Sequence, residues 1–241
     1  MLKARELLFL LYAGVERLGQ PLRRLIDRSV MGTMDEAKGD APCTILATKE
    51  EKECAELEDL AAELCASQDF NGAEPHLRRA LVLRETALGP FHRDVAPALA
   101  TLGGLLRAQG RFELAEPVYE RALAIKEKTL GRGHASVAET LTDLAEMHRS
   151  RGDLAAAEPL LARANAAYGE ALDCDAVEFG YFLNNYASFL DSRGKPAEAL
   201  LASQRAVHIF ESEFGPSDEK TKIAAGWMAY LESKVHGADH K

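Results

Sequence analysis

The sequence has a 42-residue period, and this period constrains the fold more than any other feature. The pair Arg-Ala recurs four times in that register, at 79–80, 121–122, 163–164 and 205–206. A period of this length is typical of solenoids, in which each repeat is a supersecondary unit that buries its apolar face against its neighbours. Four repeats fit the chain, at residues 53–94, 95–136, 137–178 and 179–220.

The apolar residues of the second repeat predict two helices, A and B. Helix A has a stripe with the spacing i, i+3, i+4 and i+7, which consists of Leu99, Leu102, Gly103 and Leu106. Gly110 then breaks the pattern before the core face of helix B begins at Ala115. Because Pro117 falls inside helix B by this pattern, we expect either a late start or a bend there. The sequence therefore predicts an all-α chain of helix-turn-helix repeats.

Composition excludes several classes of protein. The chain has 241 residues, a formal charge of -9 and 47% hydrophobic residues, and no apolar run approaches the length of about 18 residues that a membrane-spanning helix needs. An acidic chain has no general attraction for phosphate backbones, so we expect no nucleic-acid partner. The four cysteines form no CxxC pair and no zinc-finger pattern, and they indicate a reducing compartment. We therefore expect a cytoplasmic protein, with a mitochondrial or membrane-associated location as the alternative.

Residues 1–30 differ in kind from the rest of the chain. They carry six basic and three acidic groups, a net charge of +3, beside an apolar stripe from Ala4 to Leu25. This amphipathic helical segment has four interpretations: a docking or oligomerising helix, a mitochondrial-type presequence, a membrane-surface helix or a secretory signal. Residues 31–52, which are rich in Gly, Thr, Lys and acidic residues, are predicted to form a flexible linker.

Residues 221–241 continue the register past the fourth repeat. Ala225, Met228 and Ala229 occupy core positions of a further helix A, but Glu232 stands where a large apolar residue belongs. The last unit of a solenoid faces water on one side, so these residues are predicted to form a capping helix and a tail.

No arrangement of residues indicates catalysis. The sequence contains no nucleophile beside a base, no phosphate-binding loop and no metal-ligand cluster. His92 and His134 occupy equivalent loop positions one repeat apart, as duplicated architecture predicts. We therefore predict that the protein is not an enzyme and needs no metal or cofactor.

The repeats resemble a known family. Helix A of the second repeat has large residues around a small one at Gly103, and helix B has Tyr119 between two alanines, Ala115 and Ala122. This pattern resembles the tetratricopeptide repeat, in the 42-residue form of kinesin light chains, nephrocystin-like and clustered-mitochondria proteins. The resemblance covers residues 53–220 and implies a right-handed α-solenoid of four repeats.

In this family the A helices line a concave groove that holds a peptide. Carried over by register, the resemblance implies these partner-binding residues: Glu58, Asp59, Arg107, Glu139, Asp143, Glu146, Arg149, Tyr181, Asn184, Asn185, Asp191 and, in the capping helix, Trp227. Six carboxylates against two arginines predict an acidic groove, which favours a basic ligand.

These observations predict a scaffold or adaptor for protein–protein interaction that binds a basic or amphipathic segment of a partner. The alternative is a membrane-associated or organellar assembly factor that residues 1–30 anchor or target. Those residues leave open a membrane surface or self-association as a further contact. A third hypothesis makes residues 1–30 themselves a ligand of the groove.

Overall fold

The computed structural model describes residues 49–171 and 174–238, and within these ranges it contains nine α-helices and no strand. The predictions for residues 1–30, for most of the linker and for residues 239–241 lie outside the described residues. The helices are α1 (Lys49–Ala66), α2 (Phe70–Leu88), α3 (Val95–Ala108), α4 (Phe112–Leu130), α5 (Ala135–Arg151), α6 (Leu154–Glu170), α7 (Ala176–Ser192), α8 (Pro196–Phe214) and α9 (Glu219–Ala238). The predicted all-α fold of helix-turn-helix repeats is confirmed.

The repeat register is most exact at the start of the B helices. These helices begin at Phe70, Phe112, Leu154 and Pro196, each one full period after the last. Helix α1, by contrast, begins at Lys49, four residues before the predicted start of the repeats. Glu50 and Glu51 lie in its first turn, where carboxylates interact favourably with the positive end of the helix.

The prolines of the B helices do not delay the start of the helix. Helix α2 begins at Phe70, five residues before Pro75, and the Asp69 side chain accepts a hydrogen bond of 2.9 Å from the Gly72 amide. This side-chain cap fixes the helix start upstream of the proline. A late start, one of the two alternatives expected from sequence, is therefore wrong.

The turn between helices A and B needs a residue with positive φ. Gly110 has φ +73° and Gly194 has φ +75° at this position. Gln68 stands there in the first repeat and adopts φ +63°, a conformation that costs a residue with a Cβ about 1–2 kcal/mol. The first repeat thus keeps the backbone of the turn without the glycine that suits it.

The described residues form two compact units. The first contains residues 49–132 and 139–160, and the second contains residues 133–138 and 161–238 apart from 172–173. In the first unit α1 packs on α2, α2 on α3 and α3 on α4. Its core contains the fully buried Leu99, Leu102 and Tyr119. A Cβ atom on Gly103 would lie 3.0 Å from the Tyr119 ring, so the close helix crossing explains the small residue.

The second unit has an aromatic core. Helix α8 packs against both α7 and α9. The Tyr168 ring lies 4.9 Å from the Phe182 ring, measured between centroids, and the Tyr181 ring lies 5.1 Å from that of Phe210. No helix in the described ranges meets the length and hydropathy required to cross a membrane.

Candidate functional site

In the first unit, the predicted residues on α1 have different surroundings. Glu58 accepts two hydrogen bonds, of 2.8 and 2.7 Å, from the Arg84 guanidinium on α2. This bidentate ion pair is half-buried and joins the two helices. Asp59, the next residue, is exposed. Only one of the two carboxylates therefore faces solvent without an engaged cation.

Two further predicted residues lie inside the first unit. Arg107 on α3 is 7% exposed, and Asp143 on α5 is 3% exposed. Burial raises the pKa of the Asp143 carboxyl to about 7, although the positive charges of Arg107 and Lys126 act in the opposite direction. Burial likewise raises the pKa of the neighbouring Tyr119 hydroxyl. These four groups form a buried polar cluster among α3, α4 and α5, which we call the internal cluster.

The remaining predicted residues of the first unit lie on α5. Arg149 is exposed and donates to Glu146, with an Nη2 to Oε2 distance of 2.6 Å. Glu139 is half-buried. Both Glu139 and Glu146 raise the pKa of Asp143 through charge repulsion, which places them beside the internal cluster.

Cations from other helices reduce the acidity that the A helices alone suggested. Five predicted carboxylates lie in the first unit, together with the predicted Arg107 and Arg149. Arg84 from α2 pairs with Glu58, and Lys126 from α4 faces Asp143. The five carboxylates thus meet four cations, so a substantial part of the expected negative potential is neutralised within the fold.

In the second unit, the predicted residues lie on α7 and α9. Tyr181 packs against Phe210, and Asn185 is exposed. The Asn184 Oδ1 atom is buried and has no hydrogen-bond partner in the structure, and the Trp227 Nε1 atom has the same status. The Trp227 ring stacks on Tyr230 with 5.1 Å between centroids. One unused acceptor and one unused donor therefore remain on these two helices.

An ion pair links α9 to α7. The Lys234 Nζ atom lies 2.6 Å from the Asp191 Oδ1 atom. Helix α8 connects the two helices through short turns and packs on both, so α7 and α9 run in the same direction. Asn184 and Trp227 each lie seven residues, or two turns, before the paired residues. Asn184 and Trp227 therefore lie near the same faces of their helices as Asp191 and Lys234, about 10 Å along from the ion pair.

Sequence analysis missed the cations that complete this surface. Lys234 lies one period after Ser192, in the last turn of the helix A stripe, so extension of the register into the capping helix would have found it. Arg84 and Lys126 lie on B helices, which the family pattern does not include in the groove. Their roles depend on the packing of B against A, for which the sequence offered no direct signal.

In the described part of the chain no group of three His, Cys, Asp or Glu residues could hold a metal ion. The ring nitrogens of His92 and His134 accept hydrogen bonds from the amides of Asp94 and Ser136, at 3.3 and 3.1 Å. The two histidines therefore have the equivalent loop-stabilising role that their spacing predicted.

Comparison with known proteins gives a consistent result for the fold. A family model described as tetratricopeptide repeat matches residues 53–128 and 98–170. No protein of the curated set matches the chain.

Three solved structures have a similar fold. One is BtubC (BKLC) from P. vanneervenii, with 20% identity and a TM-score of 0.63, covering 94% of this chain and 87% of that one. The others are two structures of TPR-like repeats from a candidate kinesin light chain of Podosopora anserina. The first of these, a variant form, has 15% identity and a TM-score of 0.61, covering 78% and 99% of the two chains. The second has 16% identity and a TM-score of 0.58, covering 75% and 95%.

Proposed function

Residues 53–170 belong to the tetratricopeptide repeat family, and we propose that the protein is a scaffold that holds a segment of a partner protein against its A helices. Proteins of this family generally bind other proteins, and the similar solved structures are kinesin light chain-like repeat proteins. Each compact unit has a proposed contact surface of its own, and the two surfaces differ in chemistry.

The observation that carries the proposal is the pair of unused polar atoms in the second unit. A buried acceptor without a partner costs about 1–3 kcal/mol, and so does a buried donor. Asn184 Oδ1 on α7 and Trp227 Nε1 on α9 are one of each. A peptide backbone offers N–H and C=O groups, which are the two kinds of partner that these atoms lack.

The exposed aromatic ring beside these atoms supports a peptide ligand. Tyr230 is an exposed large residue and stacks on Trp227, and the Lys234 ammonium lies 5.7 Å from the Tyr230 ring centroid. Stacked aromatic rings with a polar rim are a common form of anchor at protein interfaces. Asn185 is exposed on the same helix as Asn184 and offers a further amide.

Charge in the first unit favours a basic partner. Helix α1 contains seven carboxylates and two lysines, and its exposed acidic residues include Glu56, Asp59 and Glu63. Although Glu58 is neutralised by Arg84, these three carboxylates face solvent. A segment with lysines or arginines gains association rate and specificity from them.

Residues 1–30, with a net charge of +3, match this description and are proposed as one ligand of the surface. The linker predicted from sequence, residues 31–52, has 22 residues, and a flexible chain of that length has a root-mean-square end-to-end distance of roughly 26 Å. Deletion of residues 1–30 should raise the affinity for an added basic peptide or change the oligomeric state. If neither changes, residues 1–30 do not occupy the surface.

Capture of partners from a cell lysate tests the scaffold directly. The full chain is compared with the double variant Asn184→Ala and Asn185→Ala, and the bound proteins are identified by mass spectrometry. Loss of a set of partners from the double variant is expected. As a matched control, the exposed Glu120 on the B helix α4 is replaced by alanine and should retain them. Equal sets for the wild type and the double variant would contradict the proposal.

A further inference from the structure

Helices α7 and α8 of the second unit form a second surface that the proposed function does not use. It is an open cleft of about 730 Å³, lined by Phe179, Leu201, Gln204, Arg205, His208 and Ile209. Its size is comparable with that of ligand pockets, which span about 300–1,000 Å³. Leu201 is 64% exposed in the cleft although it is a large apolar residue. None of the lining residues is a predicted groove residue.

Arg205 in this cleft lacks the carboxylate that its counterparts have. The equivalent arginines of the first two repeats, Arg79 and Arg121, form ion pairs with Glu53 and Glu85 at 3.4 and 2.6 Å. Phe179 occupies the register position of Glu53, and the Arg205 guanidinium lies 5.1 Å from the Phe179 ring centroid. Among the described residues no carboxylate forms an ion pair with Arg205. The ring thus holds the guanidinium in place, with its charge available to a ligand.

Leu201 also departs from the other repeats in a way that opens the cleft to an apolar ligand. The other three B helices have proline at this position: Pro75, Pro117 and Pro159. Leu201, Gln204, Arg205 and His208 form a stripe with the spacing i, i+3, i+4 and i+7 along two turns of α8. Side chains at this spacing lie along one face of α8, so a partner helix can lie along them.

We propose that this cleft is a second docking site, which binds an acidic amphipathic helix of a partner protein. The apolar side chains of the partner pack on Leu201, Phe179 and Ile209. A carboxylate of the partner pairs with Arg205, whose planar guanidinium accommodates both carboxylate oxygens. No lining residue carries a negative charge, so an acidic helix meets no repulsion within the cleft.

The cleft and the surface formed by the A helices, which we call the A-helix surface, differ in the charge of the partner that they select. The cleft takes an acidic helix, whereas the A-helix surface is proposed to take a basic segment. Two partner segments of opposite charge therefore bind the same chain without competition. The proposal for the cleft can be refuted while the proposal for the A-helix surface is supported, because the two experiments use different variants and different probes.

The test measures binding of two synthetic peptides to the full chain by fluorescence anisotropy. Both are 18-residue amphipathic helices with the same leucine face, and their polar face consists of glutamate in one and of lysine in the other. The variants are Leu201→Pro, which restores the residue of the other repeats, and Arg205→Gln. Leu114→Ser serves as a control, because Leu114 is another exposed leucine, on α4. Circular dichroism checks that each variant is folded.

The glutamate peptide should bind the wild type, and each cleft variant should weaken it about fivefold or more, as expected for an interface anchor. The control should bind normally, and Leu201→Pro should leave the lysine peptide unaffected. The proposal is overturned if the glutamate peptide does not bind or binds both variants as tightly as the wild type. It is also overturned if light scattering shows dimers that Leu201→Pro abolishes, since a second copy would then be the occupant. Arg205→Gln keeps the test decisive if Leu201→Pro unfolds.

Discussion

The Lys234 ammonium lies 2.6 Å from the Asp191 carboxylate and so links α9 to α7, two turns beyond Trp227 and Asn184. Asp191 raises the pKa of Lys234 through a hydrogen bond, and its own side chain is largely buried. Residues that line the proposed binding surface are thus also residues that hold its two helices together.

Loss of this ion pair should alter the binding surface more than the stability of the fold. We expect Lys234→Gln to change the thermal unfolding temperature little, because solvent screens the exposed ammonium.

Trp227 is the only tryptophan, so its emission reports on α9 alone. Its emission maximum should move to longer wavelength as α9 loosens. Lys220→Gln, on the same helix and over the Phe214 ring, is the control and should leave the emission unchanged. Identical spectra for all three proteins would show that the pair does not hold α9 in place.

The strained turn of the first repeat predicts a stabilising substitution. Gln68 has φ +63°, so Gln68→Gly should stabilise the first unit by about 1 kcal/mol. Gln109, which precedes the equivalent Gly110, provides the contrast, because it has φ -75° and its side chain donates to the Phe70 carbonyl oxygen at 3.2 Å. Gln109→Gly should therefore destabilise. Urea denaturation followed by circular dichroism measures both, and a shift of the same sign for the two variants would refute this account of the turn.

The close crossing of α3 and α4 predicts a large cost for a bulkier residue at Gly103. A Cβ there would already lie 3.0 Å from the buried Tyr119 ring, so Gly103→Leu should destabilise by about 3 kcal/mol or more. Gly226 on α9 is exposed, and a Cβ atom added there would meet nothing within 4 Å. Gly226→Leu should be neutral or slightly stabilising, since leucine favours helix more than glycine does. Similar denaturation midpoints for the two variants would be incompatible with this packing.

The internal cluster predicts that stability falls as pH rises. The pKa of Asp143 is about 7 in the folded protein, above its ordinary value of 3.8. The folded state therefore binds the proton more tightly than the unfolded state. The free energy of unfolding that this difference contributes is fully present below pH ~4 and is lost as pH rises through ~7. The loss is on the order of 4 kcal/mol at most.

Asp143→Asn tests this dependence because asparagine does not titrate. The free energy of unfolding of the variant minus that of the wild type should increase between pH 5 and pH 8. This increase is expected whether the variant is more or less stable than the wild type at pH 5. The charged groups that face Asp143, namely Arg107, Lys126, Glu139 and Glu146, are unchanged in the variant. A constant difference between the two proteins over this range would show that Asp143 is ionised throughout.

The fold was predictable because the repeat register and the helical spacing agree. The register located the four B helices, and the small residue at Gly103 marked the crossing with Tyr119. The start of α1 was not predictable to the residue, since the acidic first turn at Glu50 lacks the apolar pattern of the repeats.

The candidate site was less predictable, because its charges depend on contacts between helices. The pairs Glu53–Arg79 and Glu58–Arg84 both join residues 26 apart, which is the offset between helices A and B in one repeat. A family pattern for helix A alone cannot show that Arg84 neutralises Glu58. The burial of Asp143 likewise results from packing among three helices and has no local signal in the sequence.

Site-specific photo-crosslinking tests most directly whether a basic segment of a partner lies against the A helices. A benzophenone-bearing residue is placed at Asn185, which is exposed on α7, and separately at Ala162, which is exposed on the B helix α6. After irradiation in a cell lysate, mass spectrometry identifies the partner peptide attached at each position. We predict a lysine- and arginine-rich segment attached at position 185 and none at position 162. Attachment at position 162 alone, or acidic peptides at position 185, would contradict the account.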